Sequence, residues 1–275
     1  MAILKQQYAG FLNSAAIHNF DSFLGLALFD FNVISKSSLL PNSINLTISD
    51  NEVLGKRIEH FFEYCVSASQ NYQIIAKNIQ IFKQKITIGE LDFLIKDLIK
   101  EEILHIELIY KFYVYDPDIN EEMHRWIGPN RKDSLLQKIE KLKNKQFPLL
   151  YKNETKEVLK ELNIELNRVK QQACYLVNLF VPYSLKHETF TYINNDCIIG
   201  YWIKFKDFNS KRYTSKQFHI PIKQNWIVNP KYCDTWFSYD DIYKQLHLQY
   251  AQKKSPLLWM NNGDGSFERF FVAYW

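Results

Sequence analysis

Gly89-Glu90-Leu91-Asp92-Phe93-Leu94-Ile95-Lys96, followed after a short polar interval by Ile103-Leu104-His105-Ile106-Glu107-Leu108-Ile109-Tyr110-Lys111-Phe112-Tyr113-Val114-Tyr115, decides how this chain is read. Both runs alternate with a period of two, the spacing of side chains on opposite faces of a strand. The first predicts a strand over Thr87–Lys96, with Leu91, Phe93 and Ile95 on one face and Glu90, Asp92 and Leu94 on the other. The second predicts a strand over Ile103–Tyr115. Leu104, Ile106, Leu108, Tyr110, Phe112 and Val114 share one face; His105, Glu107, Ile109, Lys111 and Tyr113 share the other.

Working outward, Gln73–Phe82 reads as a preceding strand and Asn51–Ser69 as a helix, because Leu54, Ile58, Phe61, Phe62 and Cys65 recur at helical spacing. Beyond Asp116-Pro117-Asp118, a loop through Gly128-Pro129-Asn130 leads to a basic helix over Asp133–Lys145, with Asp133 as its expected cap. A charged helix from Glu154 and a strand over Ala173–Val181 complete the order helix, three strands, helix, strand across residues 51–181. Residues 1–50 read as a lead with a helix over Ala2–His18, an aromatic segment Phe20–Phe31 and a polar loop Ser35–Asp50. Residues 182–275 read as a mixed extension packed on the core. It has strands at Asp196–Phe205 and Phe218–Val228, a helix at Tyr239–Gln252, and a hairpin of Pro256–Asn261 with Phe267–Tyr274 around Asn262-Gly263-Asp264-Gly265.

The composition allows one large core: 275 residues, 47% hydrophobic, 23% charged, with only eight glycines and eight prolines. A net charge of +4 is compatible with a polyanionic partner without arguing for one. Cys65, Cys174, Cys197 and Cys233 are widely spaced, so reduced thiols are expected rather than disulfides or a zinc site. Lys5, Gln6 and Gln7 interrupt the first ten residues, so no export leader is expected; no apolar run approaches a membrane span, and a cytoplasmic location is the default expectation.

Asp92 and Glu107 are the residues on which chemistry turns. Two neighbouring strands that offer carboxylates on one face can hold a hard divalent ion such as Mg²⁺, which takes one or two carboxylates plus water and substrate oxygens. Glu59 lies beside the apolar stripe of its helix and can lean towards the same place, with Glu63 one turn on and Glu90 on the face of Asp92. An ordinary half-buried sheet also carries alternating charges on its wet side, so periodicity alone does not distinguish a nuclease.

The stretch Gly89–Leu94 followed by His105–Tyr113 resembles a bacterial family numbered 1853 among the domains of unknown function, placed by remote similarity in the PD-(D/E)XK, or restriction-endonuclease-like, nuclease superfamily. Leu54-Gly55-Lys56-Arg57-Ile58-Glu59-His60, Trp126–Asp133 with Gln146-Phe147-Pro148-Leu149, and Gly200-Tyr201-Trp202 agree with it. The resemblance implies an α/β (α+β) core of the order just read. It also implies an Mg²⁺- or Mn²⁺-dependent endonuclease hydrolysing phosphodiester bonds, with DNA as the expected substrate. By that implication Asp92 and Glu107 bind the metal and Glu59 adds a ligand or water contact. Lys111 stands in for the lysine that activates water, although the superfamily's usual place for it, two residues after the acidic residue, is here Ile109. Glu90, Glu63 and His105 are auxiliary candidates. The alternative is a catalytically inactive nucleic-acid-binding or assembly protein on the same fold.

In the basic segment Arg131, Lys132, Lys138, Lys141, Lys143 and Lys145, the first two are the expected phosphate contacts and the later lysines are expected to form a solvated face. His187-Glu188 lacks the second histidine of a zinc-protease motif, and no phosphate-binding glycine loop or nucleophile elbow is present. Oligomeric state is not legible.

Overall fold

A computed structural model describes residues 2–36 and 44–275. The chain opens with α1 (Ala2–Leu12), the two-residue strands β1 (Ser22–Phe23) and β2 (Leu26–Ala27), and the short α2 (Phe31–Ser35). There follow α3 (Leu54–Ala68), β3 (Tyr72–Lys83), β4 (Ile86–Asp97) and β5 (Glu102–Tyr115). Next come β6 (Trp126–Ile127), α4 (Leu135–Lys141), α5 (Phe147–Leu149), α6 (Asn153–Glu161) and β7 (Val169–Pro182). The remainder contributes β8 (Ile198–Lys204), α7 (Ser210–Tyr213), β9 (Gln217–His219), α8 (Tyr239–Ala251), β10 (Leu257–Asn261) and β11 (Phe267–Ala273). The expected mixed α/β architecture is present, with the order helix, three strands, helix, strand running from α3 to β7.

One nine-stranded sheet carries the molecule, in the order β3-β4-β5-β7-β8-β11-β10-β9 with β6 paired to β5. β3, β4 and β5 are antiparallel, β5, β7, β8 and β11 are mutually parallel, and the last strands return antiparallel. Parallel pairing of β5 with β7 needs a crossover, and α4–α6 supply it. β7 is central and therefore apolar on both faces: Ala173 to Pro182 are buried throughout. One face packs α1 and α3 through Tyr8, Phe11, Ile58, Phe61 and Phe62 onto Phe93, Ile106, Phe112 and Leu176. The other packs α4, through Leu135 and Ile139, and Leu142 just beyond it, onto Ile109, Tyr113, Tyr175 and Val177.

Three boundaries differ from expectation, each for a local reason. α1 stops at Leu12, not His18, because the Asn13 and Ser14 side chains bond back to the carbonyls of Ala9 and Gly10 (2.7 and 3.1 Å). Ile17 N–H then bonds to the Tyr175 carbonyl at 2.9 Å, which commits the segment to the edge of β7. The cap of α4 is Ser134, whose hydroxyl accepts from Gln137 N–H at 3.2 Å; the Asp133 carboxylate is taken by Lys111 and its carbonyl by Gly128 N–H. The strand expected over Phe218–Val228 is reduced to Gln217–His219, because Pro221 has no N–H to donate to a ladder. Part of the polar loop expected over Ser35–Asp50 lies outside the described residues; residues 44–50 have no regular secondary structure.

Candidate metal centre

Residue pairing brings the two strand carboxylates together. β4 and β5 pair from Asp97↔Glu102 to Phe93↔Ile106, and the next pair in that register would be Asp92 with Glu107. There the ladder ends: the Asp92 carboxylate, not a backbone carbonyl, takes Leu108 N–H at 2.9 Å. The β4–β5 ladder therefore stops one position short of Asp92 and Glu107, with Asp92 half-buried and Glu107 fully buried.

Glu107 is fully buried, and both of its oxygens accept hydrogen bonds. His105, equally buried, meets Oε1 through Nε2 at 3.0 Å, and Gln146 Nε2 donates to Oε2. Gln171 Nε2 bonds to His105 Nδ1 at 2.9 Å and also donates to the Phe147 carbonyl at 2.9 Å. Because the Gln171 amide can only donate, Nδ1 is the acceptor and His105 is the tautomer that donates from Nε2 to Glu107. The expected auxiliary histidine is thus a buried relay that fixes Glu107.

Gln146 reaches Glu107 from a π-helical turn, Leu142–Gln146, set between α4 and α5. Such turns occur often at functional sites, because the extra residue per turn re-aims the side chains that follow. Gly89 allows α5 to lie close to β4: a Cβ there would meet Leu149 Cδ2 at 2.5 Å.

Asp92 is the most perturbed carboxylate of the site. Its pKa is pushed up to about 7, first by burial, then by the negative charge of Glu107, with a further contribution from Glu59; the Leu108 hydrogen bond and Lys138 act in the opposite sense. Glu59 on α3 is therefore close enough to sense the pair. It is held by Lys56 (Nζ to Oε2, 2.7 Å), whose ammonium also lies 3.7 Å from Glu90. Arg57, buried two residues before Glu59, anchors this end of α3 by donating to the carbonyls of Ser49, Asp50 and Glu52. Glu63 turns to Lys77 and His60, and is engaged away from the pair.

The lysines are arranged differently from their reading in the sequence. Lys111 shares the face of Glu107, but its ammonium bonds to Asp133 Oδ2 at 2.7 Å. The lysine whose charge acts on both Asp92 and Glu107 is Lys138, half-buried on α4 and donating to Gln146 Oε1 at 2.7 Å. Burial holds its amine below the ordinary lysine value, against the raising effect of Glu107 and Asp92. Lys138 was expected on a solvated face. The signal to the contrary is its spacing: it lies three residues after buried Leu135 and four before buried Leu142, on the inward stripe of the helix. Arg131 is bound to Asp116 and lies over the Trp275 ring at 3.9 Å, tying the end of the chain to the Gly128 loop, whereas Lys132 is exposed.

The donor set suits a hard divalent cation: two carboxylates on neighbouring strands, with Glu59 close enough to act on Asp92. Among the described residues no group of three or more His, Cys, Asp or Glu side chains is arranged to enclose a metal ion. Mg²⁺ does not require one, since it commonly keeps several waters and binds through one or two carboxylates.

What fold and site define is a mixed α/β protein in which half-buried Asp92 and buried Glu107 come together where the β4–β5 ladder ends. Residues 34–272 match the family model for a domain of unknown function, DUF1853, and the chain belongs to that family. No curated protein and no solved structure matches it. Among the described residues, no helix is long and apolar enough to cross a membrane.

Proposed function

We propose that this protein is a metal-dependent nuclease of the PD-(D/E)XK type that hydrolyses phosphodiester bonds, with DNA as its substrate and Mg²⁺ or Mn²⁺ as its cation. The observation that carries the reading is the closeness of Asp92 to buried Glu107 where the β4–β5 ladder ends, with the Asp92 carboxyl pushed up to about 7 by burial and by the Glu107 charge. A carboxylate pair that burial and mutual repulsion hold partly neutral is stabilised by a cation more than by water.

Asp92 and Glu107 are the residues that would hold the ion, with Glu59 contributing through a bound water. The ion would offset charge on the scissile phosphate and supply a hydroxide-like water. Lys138, whose charge acts on both carboxylates, would orient that water; His105 and Gln146 hold Glu107 in place; Lys132, exposed, would offer a phosphate contact. Lys111, engaged by Asp133, takes a supporting role here.

The test is cleavage of linear duplex and single-stranded DNA with Mg²⁺ or Mn²⁺, against a chelated control and the Asp92→Ala and Glu107→Ala variants. Cation-dependent cleavage that both substitutions abolish, in folded protein, is the expected result. Cleavage retained by either variant would remove the assigned site. Cation binding with no cleavage of any substrate would favour a non-catalytic nucleic-acid-binding protein.

A further inference from the structure

On the other side of the sheet from the carboxylate pair, α1 bridges a cavity of about 830 Å³. Its walls come from α1 (Gly10) and the turn that follows it (Asn13, Ser14), β7 (Asn178), β8 (Gly200, Tyr201) and the start of β11 (Glu268, Arg269). The sides are opposite because Tyr110, whose hydroxyl meets Ser14 Oγ at 2.8 Å, lies three residues along β5 from Glu107. The volume is that of a small-molecule site.

Two features of the lining call for an acceptor. Arg269 is half-buried and has neither a carboxylate nor a hydrogen-bond partner among the described residues, and burial lowers its pKa without a carboxylate to restore it. Its neighbour Glu268 offers it no counter-charge, being taken by Lys186 and by the Tyr201 hydroxyl (2.9 Å). Asn178, 5% exposed, faces the Tyr110 hydroxyl, but its Nδ2 lies outside ordinary hydrogen-bond length of any acceptor among the described residues. An unpaired guanidinium and an unsatisfied amide are both costly in an interior, and both can only donate. Lys231 adds a cation to the lining; the exposed carboxylate of Asp196 stands against it. Gly200 fixes the arrangement, since a Cβ there would meet the Arg269 carbonyl at 2.3 Å and hold β11 away from β8.

We infer that this cavity is a binding site for a small organic oxyanion, whose phosphate or carboxylate head pairs with Arg269 and is steadied by Asn178. The site is independent of the carboxylate pair, and its occupancy does not require a nuclease. A guanidinium held ready in a polar cavity binds such heads by charge-assisted hydrogen bonds.

Thermal-shift and calorimetric titrations of the full chain test this with four probes at millimolar concentration: inorganic phosphate, deoxyadenosine monophosphate, citrate and the uncharged deoxyadenosine. At least one anion is expected to raise the unfolding midpoint while deoxyadenosine does not. Arg269→Gln is expected to weaken that anion about tenfold or more, and Arg269→Lys to weaken it less. Because Arg269 has no partner to lose, Arg269→Gln should fold with an unligated midpoint equal to or above the wild type. The proposal is overturned if none of the three anions binds, if deoxyadenosine binds as well as the monophosphate, or if Arg269→Gln binds the anion unchanged. Phosphate and citrate arms distinguish the two kinds of head.

Discussion

Replacing Asp92 with asparagine should make the cation-free protein more stable at mildly alkaline pH while removing its activity. Burial and the Glu107 charge raise the Asp92 carboxyl from 3.8 to about 7. A carboxyl raised in the folded state opposes folding wherever it must ionise. The penalty is absent below the ordinary value, grows between about pH 4 and 7, and is complete above about 7. About three units at about 1.36 kcal/mol each set a ceiling of roughly 4 kcal/mol. Solvent reaching the partly exposed carboxylate reduces this, so a gain of about 2–4 kcal/mol is expected for Asp92→Asn. The asparagine carbonyl can still accept from Leu108 N–H, so the local backbone is kept. Urea unfolding with chelator, at pH 8 and again at pH 4.5, measures it. The variant should be more stable at pH 8, with most of the difference gone at pH 4.5. Equal or lower stability of the variant at pH 8, or a difference that ignores pH, would refute the electrostatic reasoning.

Lys138→Ala should lower cleavage by about 10²-fold or more with the fold intact, and Lys111→Ala by much less, as single-turnover rates would show. Binding of Mn²⁺ should tighten as pH rises through about 7, since the cation competes with the proton on Asp92; calorimetry at pH 6 and 8 reads it. Gln171→Leu leaves the buried His105 Nδ1 without its donor and should destabilise the chain by about 1–3 kcal/mol in urea unfolding. Gly89→Ala places a methyl 2.5 Å from Leu149 Cδ2 and should cost about 1–3 kcal/mol by pushing α5 from β4, with a loss of activity through Gln146.

Much of the fold was legible because its signals are periodic. The alternation around Asp92 and Glu107 located β4 and β5 to within a residue or two, but whether the two polar faces coincide was not legible from alternation alone. The largely apolar run from Ala173 marked a strand, although neither its burial on both faces nor its place inside a nine-stranded sheet. What escaped depended on contacts distant in sequence. Lys138 lies 31 residues from Glu107 and Gln171 lies 66 from His105, and only the crossover through α4 brings them in. The π-turn that aims Gln146 leaves no mark in composition. Arg131 looked like a free cation because its partners, Asp116 and the ring of Trp275, belong to other elements. The C-terminal strands read as an appendage, yet β8, β11, β10 and β9 extend the same sheet.

Anomalous diffraction from crystals soaked in Mn²⁺ puts the whole account at risk in one experiment. A single strong peak is predicted between the Asp92 and Glu107 carboxylates, about 2.0–2.2 Å from an oxygen of each, and absent from Asp92→Asn crystals. A peak elsewhere, or none at a concentration that supports cleavage, would contradict it.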